Sequence, residues 1–428
     1  MKLRNLSALA VALAGAATLS AQELKVTSLI EVWYTQMLEN TLRNDAAFKP
    51  ASGAAYYDGM SSGRFAENGF TVKRAEIYLS GKISDNLSVN IMFDPNNAAN
   101  TVGNNVLQDG QIIWKVVPSF TILAGQFKMP TTYEATIVAA RNIIFFDRNQ
   151  LNRVFGDKRD RGVVGVYSFG DPKGFNTKVN FGISNGSTDD GSSGKTAVDA
   201  NAQKDFFGRL QMAYGSEHQF GAYYREGGTA VKTSTYAPST FTITTTAWGT
   251  TGIPSVQDIK DNADRTTLLG AYYAYDSSTW HFDAEAATGE LGRRFATIPT
   301  ASAGAVGREH LHQKYLGYAI TGVYKMGAHW IAARYDMLNY NSGNDWYAGG
   351  VNPYMPTTGA NAGGDFSPKY TETTVGYNYL FVPSKYSYGK LKIDFIMRSK
   401  NFLSSSAALG QTGAQGGNSL VASLMFGF

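Results

Sequence analysis

The 428-residue chain has no cysteine. Disulfide staples, thiolate nucleophiles and cysteine-ligated metal centres are therefore excluded. Histidine is scarce at five, and proline at 12. Charge of one sign is also lacking: 38 Lys and Arg stand against 34 Asp and Glu. So balanced a chain has no general attraction for polyanions, and nucleic acid is not an expected partner. After the first twenty or so residues, no stretch approaches the roughly 18 apolar residues of a spanning helix. No run of ten or more residues shows the 3.6-residue period of a long capped helix.

The N-terminus has the parts of a secretory signal. Lys2 and Arg4 precede the apolar run "LSALAVALAGAATL", and "LSA" ending at Ala21 supplies small residues for cleavage. Residues 1–21 are expected to be a signal peptide and residues 22–428 the mature, exported unit. An exported chain without disulfides takes its stability from a large core or from a membrane.

What is abundant is glycine (46), tyrosine (25) and phenylalanine (24), a composition that favours sheet. Sixteen strand-like segments can be marked, among them "TVKRAEIYLSGKI", "FNTKVNFGI" and "GKLKIDFIMR". Their connections alternate between short turns such as "SDN", "PS" and "MGA" and polar stretches of about a dozen to over thirty residues. That alternation describes an antiparallel meander with every long loop at one end, the layout of a transmembrane β-barrel. The faces agree. Ala75, Ile77 and Leu79, with Lys73, alternate with Arg74, Glu76, Tyr78 and Lys82; Leu391, Ile393 and Phe395 alternate with Lys390, Lys392 and Asp394, and Arg398 follows on the polar side. An apolar face toward lipid and a polar face toward a water-filled lumen require this pattern. The final "SLVASLMFGF" alternates too, which makes it the closing strand, with Phe428 at the periplasmic rim. The expected fold is all-β, an outer-membrane barrel of about 16 strands, with outer-membrane lipid as its first partner.

Catalytic patterns fail on context. "GISNG" (Gly182–Gly186) fits G-x-S-x-G but runs from a strand into a polar loop instead of a helix. "GKT" at Gly194 lacks the upstream glycine of a phosphate-binding loop, since Asp189 stands there. His310 and His312 are an isolated pair in a loop, more in keeping with polar surface than with a metal site. No enzyme activity, metal or cofactor is expected. A barrel this wide leaves an aqueous channel, and one loop stands out as its gatekeeper. Residues 128–160 contain "TIVAARNIIFF", apolar enough to fold inward, and are rich in basic residues. Candidate constriction and anion-binding residues are Lys128, Arg141, Arg148, Arg153 and Lys158. Arg141, Arg148 and Arg153 are expected to carry most of the positive potential, since basic side chains in a pore favour anions. Arg74, Lys82, Lys390, Lys392 and Arg398 are the expected basic residues of the lumen face. Arg159 and Arg161 flank Asp160 and suit anchoring of the loop as well as selectivity. Asp283, Glu285, Glu372 and Asp394 fall on the same inner face.

"VKRAEIYLSGKISDNLSVNIMFD", "ILAGQFKMPTTYE" and "DRGVVGVYSFGDPKGF" resemble characteristic blocks of the phosphate-selective porin O and P family. The resemblance is clearest in the first half of the chain. It implies a homotrimer of sixteen-stranded barrels, a basic constriction and passage of phosphate-like anionic solutes. Separately, the alternating C-terminus that ends on Phe428 resembles the signal read by the outer-membrane assembly machinery. The alternative function from sequence is a structural or adhesive barrel with a plugged pore.

Overall fold

A computed structural model describes residues 23–38, 69–95, 106–156, 158–171, 173–186, 204–228, 265–291, 313–339, 342–343, 367, 369–399 and 418–428. The alternating segments form sixteen antiparallel strands. In chain order they are β1 (Glu23–Met37), β2 (Gly69–Lys82), β3 (Leu87–Phe93), β4 (Leu107–Val117), β5 (Phe120–Lys128), β6 (Arg159–Gly170), β7 (Phe175–Ser184) and β8 (Asp205–Tyr214), followed by β9 (His218–Gly228), β10 (Arg265–Asp276), β11 (Trp280–Leu291), β12 (Gln313–Met326), β13 (His329–Asn339), β14 (Lys369–Leu380), β15 (Gly389–Arg398) and β16 (Ser419–Gly427). Each pairs with its sequence neighbours, and β1 pairs with β16 to close the barrel. Closure leaves no unpaired edge, as hydrocarbon requires. Among the described residues no helix is long and apolar enough to cross a membrane.

The short connections lie at one end, where both ends of the sheet also meet. Ser28 N donates to Phe428 O at 2.8 Å, and Phe428 N donates back to Ser28 O at 3.2 Å. Gly327 makes the sharp turn between β12 and β13 with φ of +61°, a conformation that strains side-chain-bearing residues. On the outer wall near this end Phe175, Tyr214, Trp280, Tyr324, Phe381 and Phe428 are exposed, forming the aromatic girdle of a membrane interface.

In the strands whose faces are read from the sequence above, the side-chain alternation holds with one correction. Lys73 does not share the outer face with Ala75 and Ile77. Glu31 pairs with Arg74 and the next residue, Val32, pairs with Val72, so Lys73 is the extra residue of a β-bulge in β2. The bulge switches the parity of the strand. Phe70 and Val72 are exposed above it and Ile77 below it, while Lys73 donates to Asp147 Oδ2 at 3.1 Å inside the barrel.

Candidate functional site: the lumen and its inserted loop

The connection between β5 and β6 is packed inside the barrel. Its apolar residues give it a core there. Tyr133, Leu151 and Phe155 pack against Tyr223, Leu268, Tyr272, Tyr315 and Tyr370 of the wall. Phe145 and Phe146 pack against Trp33, Val323, Ala332, Ile396 and Val421. Burying Tyr133, Ile143, Phe145, Phe146, Leu151 and Phe155 to within a few per cent of full coverage favours the inserted loop by about 10 kcal/mol or more, at about 1.5–3 kcal/mol for each. It contains a short helix, α1 (Tyr133–Thr136), a 3-10 turn (Ala140–Asn142) and a π-helical turn (Asn152–Gly156).

Its backbone polar groups are met by charged side chains of the wall. Tyr133 N, at the start of α1, donates to Glu285 Oε1 at 2.7 Å, and Asn152 Nδ2 donates to Glu285 Oε2 at 2.5 Å. Phe146 N donates to Asp394 Oδ2 at 2.5 Å. Lys390 Nζ donates to Arg141 O and Ile143 O at 2.9 and 2.8 Å; Lys392 Nζ donates to Phe145 O at 2.8 Å and to Glu31 Oε1 at 2.7 Å. From the short-turn end Tyr386 reaches in and donates its hydroxyl to Ile143 O at 2.9 Å. The acidic and basic groups of this wall thus hold a loop in place, as buried polar groups demand partners. Lys390, Lys392 and Asp394 face inward but are fully covered by the loop and present no charge to lumen water.

The candidate arginines divide. The Arg153 side chain is 5% exposed and pairs with Glu372 at 3.2 Å, where Arg334 and Arg398 also converge at 3.4 and 3.2 Å. Arg148 is buried and donates Nε to Glu134 O at 3.1 Å. Arg74 pairs with Glu31 and lies 3.7 Å from Asp147. Burial opposes charge on Asp147, but Lys73, Arg74, Arg153 and Arg148 outweigh it and hold the carboxyl well below its usual range. Burial raises Glu134 in spite of Arg334. Arg141 differs from these: it is partly exposed, lies 5.3 Å from the Tyr78 ring, and has no carboxylate partner among the described residues. Lys128 and Lys158 stand at the two feet of the loop, where Met129 N donates to Lys158 O at 2.9 Å. Lys82 sits at the short-turn rim, 2.8 Å from Asp85. Arg159 pairs with Asp109 at 2.8 Å, and Arg161 Nε donates to Gln126 Oε1 at 3.3 Å.

The loop covers one side of the lumen and leaves the other. From β10 round to β1, inward side chains such as Tyr315, Thr374, Asn378 and Ser423 are at or below 1% exposure. From β3 to β7, Gln111, Ile113, Lys115, Thr121, Leu123 and Lys178 remain partly or wholly exposed. Lys115 and Lys178 have no ion-pair partner among the described residues. The sequence alone does not single out either for selectivity; their signal is an inward position on β4 and β7, the strands next to the two that carry the loop. Ser184 of "GISNG" ends β7 with its hydroxyl 3.6 Å from Met129 Sδ, and the described residues that follow form no helix. His310, His312 and the "GKT" stretch lie outside the described residues.

The comparisons with known proteins agree with this architecture. No curated protein sequence matches. Among solved structures, the chain is similar to the outer-membrane channel DcaP of Acinetobacter baumannii, with 11% identity, coverage of 95% of this chain and 97% of that one, and a TM-score of 0.53. It is similar to OmpF of Salmonella typhi in complex with daunomycin, at 12% identity, 95% and 97% coverage, and a TM-score of 0.51. Against OmpT of Vibrio cholerae, folded in vitro, the values are 11%, 95% and 97%, and 0.50. These likenesses concern the fold alone. The sequence profile described as "Phosphate-selective porin O and P" matches residues 47–394, well over half the chain, and with the closed lipid-facing barrel this establishes the lineage: the chain belongs to the phosphate-selective porin O and P family and is an outer-membrane channel protein of a Gram-negative bacterium.

Proposed function

We propose that the protein is a passive diffusion channel for small hydrophilic solutes that prefers anions, phosphate-like ones among them. One observation carries this reading. Along the wall that the loop leaves uncovered, the strand and loop charges without an ion-pair partner among the described residues are cations: Lys115 and Lys178 on the strands, with Arg141 on the loop. Carboxylates nearby are paired, Asp109 with Arg159 and Glu76 with Arg74 at 3.6 Å. Walls of low dielectric focus the field of a few such charges, and basic linings favour anions. Flux follows the concentration gradient and needs no chemistry.

The expected signal peptide over 1–21, release of the mature chain near Gln22 and recognition of Phe428 by the assembly machinery belong to the same proposal on their sequence patterns, and a homotrimeric assembly on family membership. Reversal potential in planar bilayers under a potassium chloride gradient tests the function. Anion preference is expected, weakening at high salt as screening shortens toward about 3 Å near 1 M. A cation preference would overturn the reading, and absence of conductance would favour a plugged structural barrel.

A further inference from the structure

Lumen walls of such barrels are ordinarily polar, yet one inner row here is not. Ile113 pairs with Leu123, Leu123 with Val164, Val164 with Gly182, and Gly182 with Phe207. These residues face inward, because their strand neighbours Ile112, Trp114, Val163 and Phe206 are exposed on the outer wall. The row crosses five strands, β4 to β8. It runs diagonally from Ile113, in the half of β4 nearer the short turns, to Phe207, near the long-loop end of β8. Val166 lies beside it, next inward along β6 from Val164. The upper part is core: Val164 and Phe207 pack with Phe127 and Met129 at the foot of the loop. In the lower part, Leu123 and Val166 pack against the edge of this core, and Ile113 lies beyond it. Ile113, Leu123 and Val166 remain partly exposed on the side the loop leaves uncovered.

Polar cations flank this lower part. Lys115 is the next inward residue of β4 after Ile113, and Thr121, its cross-strand partner, pairs in turn with Val166. Lys178 pairs with Ser168, the next inward residue of β6 after Val166. Both lysines are exposed. An aliphatic surface bordered by two cations complements a solute with one anionic head and an apolar body. Inorganic phosphate makes no use of the aliphatic part.

We infer that the Ile113–Leu123–Val166 surface with Lys115 and Lys178 is a binding track for amphiphilic organic anions, such as medium-chain carboxylates, within the anion-preferring pore proposed above. The head group is held by the lysines while the tail displaces water from the apolar strip. Binding must stay weak for passage, and a few partly buried methylenes give that order of affinity.

The test is block of chloride current by hexanoate, compared with acetate, in the full-length protein reconstituted in planar bilayers. Hexanoate is expected to half-block at a concentration about tenfold lower than acetate. Ile113→Ser with Leu123→Ser should bring hexanoate close to acetate, and Lys115→Gln with Lys178→Gln should weaken block by both. Should the double serine variant fold poorly, Val166→Thr, nearly the same shape, should still narrow the ratio measurably. Equal block by the two anions in a channel that remains anion-preferring in potassium chloride would overturn the track and leave the channel reading standing. Hexanoate selectivity unchanged in Ile113→Ser/Leu123→Ser and in Val166→Thr would also overturn it. A cation preference in potassium chloride would instead sink the functional reading on which the track rests.

Discussion

At the scale of single residues, an arginine's role in the lumen depends on whether a carboxylate reaches it. Arg153 is taken up by Glu372 and Arg74 by Glu31, whereas Arg141 has only an aromatic ring beside it among the described residues. Arg141→Gln is therefore expected to reduce anion preference with little change in stability. Arg153→Gln should do the reverse, since breaking a buried pair costs about 3–5 kcal/mol. Reversal potentials and amide hydrogen exchange across 145–156 would separate the two; faster exchange in Arg141→Gln but not in Arg153→Gln would contradict the assignment. The sequence shows which arginines enter the loop, but the carboxylate that takes up Arg153, Glu372, lies 219 residues away along the chain. Local charge counting cannot see such pairings, so it cannot tell an anchoring arginine from one that faces water.

At the scale of elements, the strands are legible because lipid and water impose a period of two. The alternation of long and short connections places every turn at one end. The bulge at Lys73 escapes such a reading, because one extra residue flips the faces without changing the composition. The alternation along β15 is also clear, but the fate of its inner face is not. Ile393 is exposed on the outer wall and Lys392 is fully covered. Ile393→Arg should destabilise the barrel by about 2–4 kcal/mol. Lys392→Met, however, is expected to disturb the loop rather than simply alter pore charge, because Lys392 joins Glu31 to Phe145 O. Heat-modified migration on gels and exchange at Phe145–Asp147 would show the two effects. A stable Ile393→Arg barrel would mean that this position does not meet lipid. Deleting Phe428 should lower the yield of assembled barrel, since its backbone bonds twice to Ser28 across the closing seam. Undiminished folded protein in the outer membrane would refute that role.

At the scale of the whole molecule, a loop anchored across the lumen divides the inner wall into a covered side and an uncovered side. The apolar run and basic residues of 128–160 point to an inserted loop from sequence alone. The wall it would lie against depends on Glu285, Lys390 and Asp394 meeting backbone groups of the loop and on Glu372 meeting its Gln150 and Arg153 side chains, which no local pattern encodes. The absence of native cysteine makes this division directly measurable, since any introduced thiol reacts against a silent background. Single Thr121→Cys, Ile113→Cys, Thr374→Cys and Asn378→Cys variants would be treated in open channels with a water-soluble, charged thiol reagent while current is recorded. Modification and reduced current are expected at positions 113 and 121, with no reaction at 374 and 378. Rapid modification at 374 and 378, with positions 113 and 121 silent, would place the passage on the opposite wall and contradict the account.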